Sequence, residues 1–404
     1  MRIALVASSL RLAGAEKQFV YIARALTEAG AEVQVFYLGP GGYYQAILRR
    51  MGIPLSQIFA RGRPWRMLLR LIKALRRFRP EVVLASQFGD LIFAAPAGRL
   101  NNALVLGGVR SDGFYELGTC GRRFSFMLRL SDGLIANSHQ AKDNLISKGV
   151  APLKIAVLSN VLDLDEFDSQ STLTPPQCVP PERVIAAAVG SLHPCKRFDR
   201  FLDALSLARK SYPAGYGVVA GKDLGVKAAL EQRASSLGLL PDHVKFLGEC
   251  DRIPALLRNS RLLVLCSDYE GFPNVILEAM AARLPIITAP VGDAPRIVEH
   301  SVSGFVIEKH DTKAVASKMV TLMANSELRI SFGEKGRQRV EQEHSFPGLA
   351  PRLLSILSHF AHQRSKTATL KALEQMPSRA FPTVPVGQRS IMPEVGHHAR
   401  MGLS

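Results

Sequence analysis

The sequence predicts an α/β protein of two domains, each built on a parallel sheet, and three observations carry that prediction. Short apolar runs bounded by turn residues, among them Leu262–Cys266 and Ile286–Ala289, read as strands buried on both faces. Stretches with helical spacing of their apolar residues alternate with such runs, so strand follows helix along the chain. The length of 404 residues is that of two domains of ordinary size. Apolar residues at 47% and aromatics at 7% are the composition of a soluble α/β protein.

Taken in order, residues 2–7 form the first strand, Ser8–Gly14 a loop, 15–29 a helix and 32–37 a second strand. The G-x-G-x-x-G fingerprint is absent from this βαβ opening, which argues against a nicotinamide enzyme. The stretch 61–79 holds eight basic residues and no acid. Leu68, Leu71, Ile72, Leu75 and Phe78 fall on one helical face, and Arg66, Arg70, Lys73 and Arg77 on another. A basic amphipathic helix with Trp65 at one end suits an anionic membrane surface. Strands follow at 81–85 and 104–109, the second ending in Arg110, Ser111 and Asp112. A strand and turn at 132–138, a helix at 142–149 and a strand at 155–158 complete the first domain, assigned to residues 1–168. Residues 169–182, with the Pro-rich STLTPPQCVPPE, read as a linker.

The second domain, 183–345, opens with a strand at 184–189 and the sequence GSLHPCK, ending in Lys196. Strands at 216–220 and 244–248 follow. From Arg261 the chain reads RLLVLCSDYEGFPNVILEAMAARLPIITAP: strand, loop, helix, strand. Ligands of such units sit beyond the carboxyl ends of the strands, where the N–H groups at a helix N-terminus attract an anion. Glu270 and Glu278 flank that place, with seven residues between them. A helix at 346–360 ends the ordered part, and 363–404 is expected to stay disordered.

The string EGFPNVILEAMAARLPIITAPVG resembles the retaining glycosyltransferases of family 4, whose GT-B fold sets two facing Rossmann-like domains across a cleft. That resemblance implies that the first domain, with the 346–362 helix crossing back to it, binds the acceptor and the second binds a nucleotide sugar. It implies that Glu270 contacts the donor sugar and Glu278 the ribose. Gly271, Phe272, Pro273 and Asn274 would hold the diphosphate, with Lys196 as its cation and Gly14 giving close backbone approach. Glu270 and Lys196 are the implied catalytic pair. Where many members carry a His, this chain carries Arg110 and Asp112, an acceptor-side pair. Asp163 and Asp165 fall in the domain-exit motif N-V-x-D-x-x-x-F and read as structural, so no metal is expected. No cofactor is expected either, since the nucleotide sugar is a substrate. The pattern departs at Ser191, where Arg is usual and Arg197 is the substitute cation, and at Asp293 and Arg296 in the loop that borders the donor. His139 reads as a helix-cap residue.

The implied activity is transfer of a sugar from a nucleotide sugar, UDP-linked by expectation, to a membrane-associated lipid-linked or polysaccharide acceptor, with retention. Two alternatives stay open: a non-catalytic membrane-associated subunit of the same fold, and a sugar-nucleotide epimerase. Charge supports a membrane partner on the acceptor side. Residues 1–165 carry 22 basic and 11 acidic residues, against 23 and 21 in 166–361. Nucleic acid, the other anionic partner, lacks a recognition motif and has only Trp65 and Phe78 near the basic clusters. The run MRIALVASSL is too short in its apolar part for a secretory signal and reads as a strand. No run of eighteen apolar residues exists to span a bilayer. Five cysteines without a C-x-x-C pair suggest reduced thiols. The expected place is the cytoplasm, peripheral on the inner membrane face.

Overall fold

The computed structural model describes residues 1–60, 62–176 and 183–377. Seven strands form the first sheet: β1 (Arg2–Ala7), β2 (Glu32–Tyr37), β3 (Leu55–Gln57), β4 (Val82–Ala85), β5 (Leu104–Val109), β6 (Gly133–Ala136) and β7 (Ile155–Val157). Their order is β3-β2-β1-β4-β5-β6-β7, parallel throughout, with Leu5 paired to Val35 on one side and Leu84 on the other. Six strands form the second: β8 (Val184–Val189), β9 (Gly215–Ala220), β10 (Val244–Gly248), β11 (Leu262–Leu265), β12 (Ile286–Thr288) and β13 (Gly304–Val306). Their order is β10-β9-β8-β11-β12-β13. In both sheets the order reverses beside the first strand, which opens a crevice at the carboxyl ends where ligands of doubly wound sheets bind.

Each sheet is buried on both faces because its strands lack polar alternation. In β1, Ile3, Leu5 and Ala7 pack with Phe19, Ile22 and Leu26 of the helix Gly14–Glu28, while Ala4 and Val6 pack on the opposite face with Leu71 and Leu75 of the helix Pro64–Phe78. In β11, Leu263 and Leu265 join the helix Asn274–Ala281, and Leu262 and Val264 join the helix Phe198–Ser211.

The chain crosses between domains twice, side by side. Leu162 N–H donates to the His344 carbonyl at 2.8 Å, and Phe346 N–H to the Leu162 carbonyl at 3.0 Å. The helix Leu349–Gln363 then lies on the first domain, with Leu353, Leu354, Leu357 and Phe360 fully buried.

Two expectations are corrected. The helix Leu164–Ser171 begins the second domain, since Leu162 and Phe167 lie in that domain's core; its Asp163 cap redirects the chain before residue 168. Part of the tail expected to be disordered is also structured. The helix Thr367–Glu374, with Met376 just beyond its end, sets Leu370, Leu373 and Met376 against the first core, where they cover the surface left beside the crossing helix. Residues 378–404 and the linker residues 177–182 lie outside the described residues. Cys120, Cys195, Cys250 and Cys266 are free thiols, and Cys178 lies outside the described residues.

The crossing helix depends on Gly133, where an added methyl would overlap the Phe360 ring. Gly133→Ala should therefore destabilise by about 1–3 kcal/mol, as overpacking does. Phe360→Leu in the same chain should return part of that loss. Urea melts of the single and double variants measure it; strictly additive losses would show that the two residues do not compete for space.

Candidate active site

The site is assembled from loops at the carboxyl ends of the strands. After β8 the chain turns through Pro194–Lys196, and after β11 through Ser267–Pro273. These turns bring Lys196 and Glu270 together although 74 residues separate them. Lys196 Nζ lies 2.6 and 2.8 Å from the two Glu270 carboxylate oxygens, and Ser267 Oγ donates to Glu270 Oε1 at 2.7 Å. The glutamate side chain is 10% exposed and the lysine 24%, so the pair is desolvated enough to be strong yet open to the cleft.

Arg197, weighed as a substitute cation, is committed elsewhere. Its guanidinium holds Asp199 at 2.7 Å and Asp268 at 3.2 Å, and Arg200 holds the other Asp268 oxygen at 2.7 Å. That ionic lattice fixes the backbone just ahead of Glu270 and leaves Lys196 as the cation that faces Glu270. Ser191 is exposed and brings no charge.

The helix Asn274–Ala281 starts without a side-chain cap, so N–H groups of its first turn face the cleft. One expectation there is corrected: Pro273 has no N–H to give an anion and contributes only its fixed φ. Asn274 does more than expected. Its Oδ1 accepts from Asn160 Nδ2 at 2.8 Å, and its Nδ2 lies where a methyl on Gly14 would come within 2.8 Å. Gly14 thus lets the first domain close on the donor loop. Gly271 acts alike on the other side: a methyl there would lie 2.8 Å from the carbonyl oxygens of Arg110 and Ser111. Phe272 is buried against the His344 ring of the crossing, with centroids 5.6 Å apart.

Glu278 lies one turn into the helix, its side chain 21% exposed, with Lys17 of the first domain 3.8 Å away. Burial raises the Glu278 carboxyl above its ordinary range, and the Lys17 charge opposes the rise.

On the acceptor side, Glu116 nails down the loop after β5 by accepting from the N–H groups of Arg110, Ser111 and Gly113. Arg110 Nε donates to the Ser86 carbonyl at 3.1 Å, and burial pushes its guanidinium down to about 10 despite the Glu116 charge. Asp112 is less free than the resemblance implies. Its carboxylate caps the next helix by accepting from Tyr115 N–H at 2.9 Å, a structural duty. Asp163 likewise caps the helix Leu164–Ser171 and pairs with Arg24 at 2.5 Å, and Asp165 sits in that helix's first turn. Among the described residues no group of three metal-ligating side chains occurs.

Asp293 and His139 meet across the cleft. The Asp293 carboxylate accepts from His139 N–H at 2.9 Å and from Gln140 N–H at 3.1 Å, and lies 3.1 Å from His139 Nδ1. Burial alone would raise the Asp293 carboxyl, but these hydrogen bonds outweigh it and hold the group below its usual range. Sequence reasoning missed Lys17, Asn160 and Ser267. Only Asn160 carried a signal, as the Asn of the domain-exit motif.

Two parallel sheets facing each other across a cleft define the GT-B fold class. The family model "Glycosyl transferases group 1" matches residues 173–339, and "Glycosyltransferase Family 4" matches 12–166. The chain belongs to the group 1 glycosyltransferases with the GT-B fold. It is 38% identical over 104 residues to N-acetyl-alpha-D-glucosaminyl L-malate synthase of Bacillus anthracis, covering 26% of this chain and 27% of that one. It is 27% identical over 261 residues to D-inositol 3-phosphate glycosyltransferase of Salinispora arenicola (strain CNS-205), covering 59% and 58%. These matches span between about a quarter and three fifths of the relatives' lengths. The crystal structure of Anabaena HepE in complex with UDP and glucose superposes with a TM-score of 0.78 at 20% identity, covering 89% of this chain and 99% of that one.

The raised Glu278 carboxyl sets a pH dependence. The resemblance implies that Glu278 accepts a hydrogen bond from a ribose hydroxyl; its ionised form is the better acceptor, and that form is lost progressively as pH falls through the raised pKa. UDP affinity should therefore fall on acidification, beginning at higher pH than for an ordinary glutamate. Glu278→Gln should cost about 1.5–3 kcal/mol at neutral pH and flatten that part of the profile. Calorimetric titration of UDP into both proteins across pH 5–8 checks it; parallel profiles would remove Glu278 from the nucleotide site.

Proposed function

We propose that this protein transfers a sugar from a nucleotide sugar, UDP-linked, to a membrane-associated lipid-linked or polysaccharide acceptor, with retention at the anomeric carbon. The observation that carries the reading is the Lys196–Glu270 pair beside an uncapped helix N-terminus, with Glu278 one turn further on. Bond cleavage at the anomeric carbon leaves charge on the diphosphate. A fixed ammonium and oriented N–H groups stabilise that charge without reorganising. Lys196 has three N–H donors, so it can keep Glu270 oriented towards the sugar while donating to a phosphate oxygen. Closure of the domains would exclude water and favour transfer over hydrolysis.

Arg110 favours an acceptor bearing an anion, since burial desolvates it and, among the described residues, its side-chain hydrogen bond goes to the neutral Ser86 carbonyl. The names of the two curated relatives include L-malate and inositol 3-phosphate, both anions, so a small anionic acceptor is the second reading. The helix Pro64–Phe78 favours the membrane. Leu71 and Leu75 are buried in the core, while Arg66, Arg70, Lys73 and Arg77 are exposed. Trp65 and Leu69 stand 59% and 57% exposed beside them, so attachment combines charge with apolar insertion. Arg70 also holds the Phe59 carbonyl at 2.6 Å. Among the described residues no helix is long and apolar enough to cross a membrane.

Three measurements test this. A thermal-shift panel of nucleotide sugars should single out UDP sugars, since a ligand at a hundredfold excess over Kd stabilises by about 2.7 kcal/mol. Sugar release and transfer, assayed with and without membrane lipid, separate a transferase from an epimerase and from a subunit that does not turn over. Glu270→Ala should lower kcat with little change in UDP affinity, and activity should persist in excess chelator; metal-reversible loss would demand a divalent cation.

Vesicle co-sedimentation tests the surface. Changing Arg66, Arg70, Lys73 and Arg77 to Glu should release the protein from anionic vesicles, each cation being worth about 1 kcal/mol there. UDP binding should survive. Attachment indifferent to salt and to anionic lipid would return the helix to a solvated face.

A further inference from the structure

We propose that Asp293 is the positioning residue that latches the two domains together for transfer, an inference that rests on the glycosyltransferase reading. Its carboxylate belongs to the second domain but caps a helix of the first. Helix His139–Ser147 follows Ser138, whose Oγ accepts from Ala141 N–H and whose carbonyl accepts from Lys142 N–H. The remaining two N-terminal donors, His139 and Gln140, both go to Asp293. The His139 and Gln140 N–H groups therefore have these protein acceptors only when the domains are closed. The Asp293 residue is 2% exposed, so the carboxylate is shielded from bulk water on its own side while His139 stays half-exposed, and a charge-assisted hydrogen bond to a helix N-terminus is favourable there.

The latch joins the two loops that chemistry would use. On the second domain, Asp293 opens the turn Ala294–Ile297, its carbonyl accepting from Arg296 and Ile297 N–H. The preceding Gly292, at φ +51°, lies so close to the donor loop that a methyl on it would come within 2.5 Å of the Gly271 carbonyl and 2.9 Å of the Glu270 carbonyl. On the first domain, Asn144 of the capped helix donates to the Asp112 carbonyl at 2.8 Å, and Asn137 just before it donates to the Arg110 carbonyl at 3.0 Å. A displacement at Asp293 thus moves Glu270 relative to Arg110. Of these contacts only the Gly292 approach touches the Glu270 loop; the Asp293 hydrogen bonds themselves involve neither Lys196 nor Glu278. The latch sets alignment, which appears in kcat, and leaves nucleotide affinity alone.

Two variants approach the contact from opposite domains. Asp293→Asn keeps the shape but puts an NH2 against N–H donors. His139→Pro removes one N–H and the imidazole at the first helical position, where proline is tolerated, and the extended backbone of Ser138 suits a following proline. Each should lower kcat roughly tenfold or more, with UDP Kd within threefold of the parent. In small-angle scattering of ligand-free protein each should raise the radius of gyration above the parent's. Thermal melts identify a variant that fails to fold, and the partner variant then carries the test. Unchanged scattering with kcat within threefold of the parent overturns the latch. A parallel loss of UDP affinity overturns it too, assigning Asp293 to the donor. Failure of the parent to bind any nucleotide sugar sinks the glycosyltransferase reading instead, because domain separation is read without ligand.

Discussion

The structure depends on the place where two strands of chain pass between the domains side by side. The paired backbones of Leu162 with His344 and Phe346 fix how the sheets face each other. Each flank is tied down: Arg24 pairs with Asp163 and lies 4.3 Å from the Phe346 ring centroid, and Gln18 exchanges two hydrogen bonds with the Val161 backbone. His344 spans the crossing, with Nδ1 3.2 Å from the Asn160 carbonyl and its ring against Phe272 of the donor loop. Burial lowers its pKa, which keeps the imidazole neutral beside that apolar contact. The crossing and the donor loop are therefore one packed unit, and a change in domain angle is felt at the GFPN turn.

Charge at the cleft is arranged in two tiers. The outer tier, Arg197 and Arg200 with Asp199 and Asp268, is mutually neutralised and holds the loop. The inner tier is paired across loops and across domains, Lys196 tightly with Glu270 at 2.6 Å and Lys17 loosely with Glu278 at 3.8 Å. A structural ion pair gains by being permanent. A pair that must share its partners with a ligand gains by being incomplete, and the 3.8 Å Lys17–Glu278 separation has that character.

Much of this was legible in the chain. Strand positions follow from apolar runs without polar alternation, since a sheet covered on both faces admits no other pattern. The donor loop follows from local chemistry, because a strand, a turn with Gly and Pro, and a helix are specified within twenty residues. Lys196 and Glu270 were each identifiable, and so was the outward face of the basic helix. Less legible were features that depend on a neighbour. The helix Thr367–Glu374 carries few apolar side chains and reads as tail until the surface it covers exists. Asp112 and Asp293 look alike in sequence, as strand-end carboxylates beside the site. One caps its own loop and the other reaches a different domain.

The sequence alone determined the two sheets, the strand–turn–helix unit with its Gly and Pro, the spacing of the two glutamates and the excess of cations on the first domain. These are properties of short segments, fixed by side-chain period and backbone freedom. Only the tertiary structure decided which charges meet. Lys196 finds Glu270 across 74 residues, Asn274 finds Asn160 across 114, and Asp293 finds His139 across 154. The first pairing depends on β8 lying beside β11 in the second sheet, and the other two on how two rigid bodies face one another at the crossing of Leu162 and His344; none is carried by a local pattern.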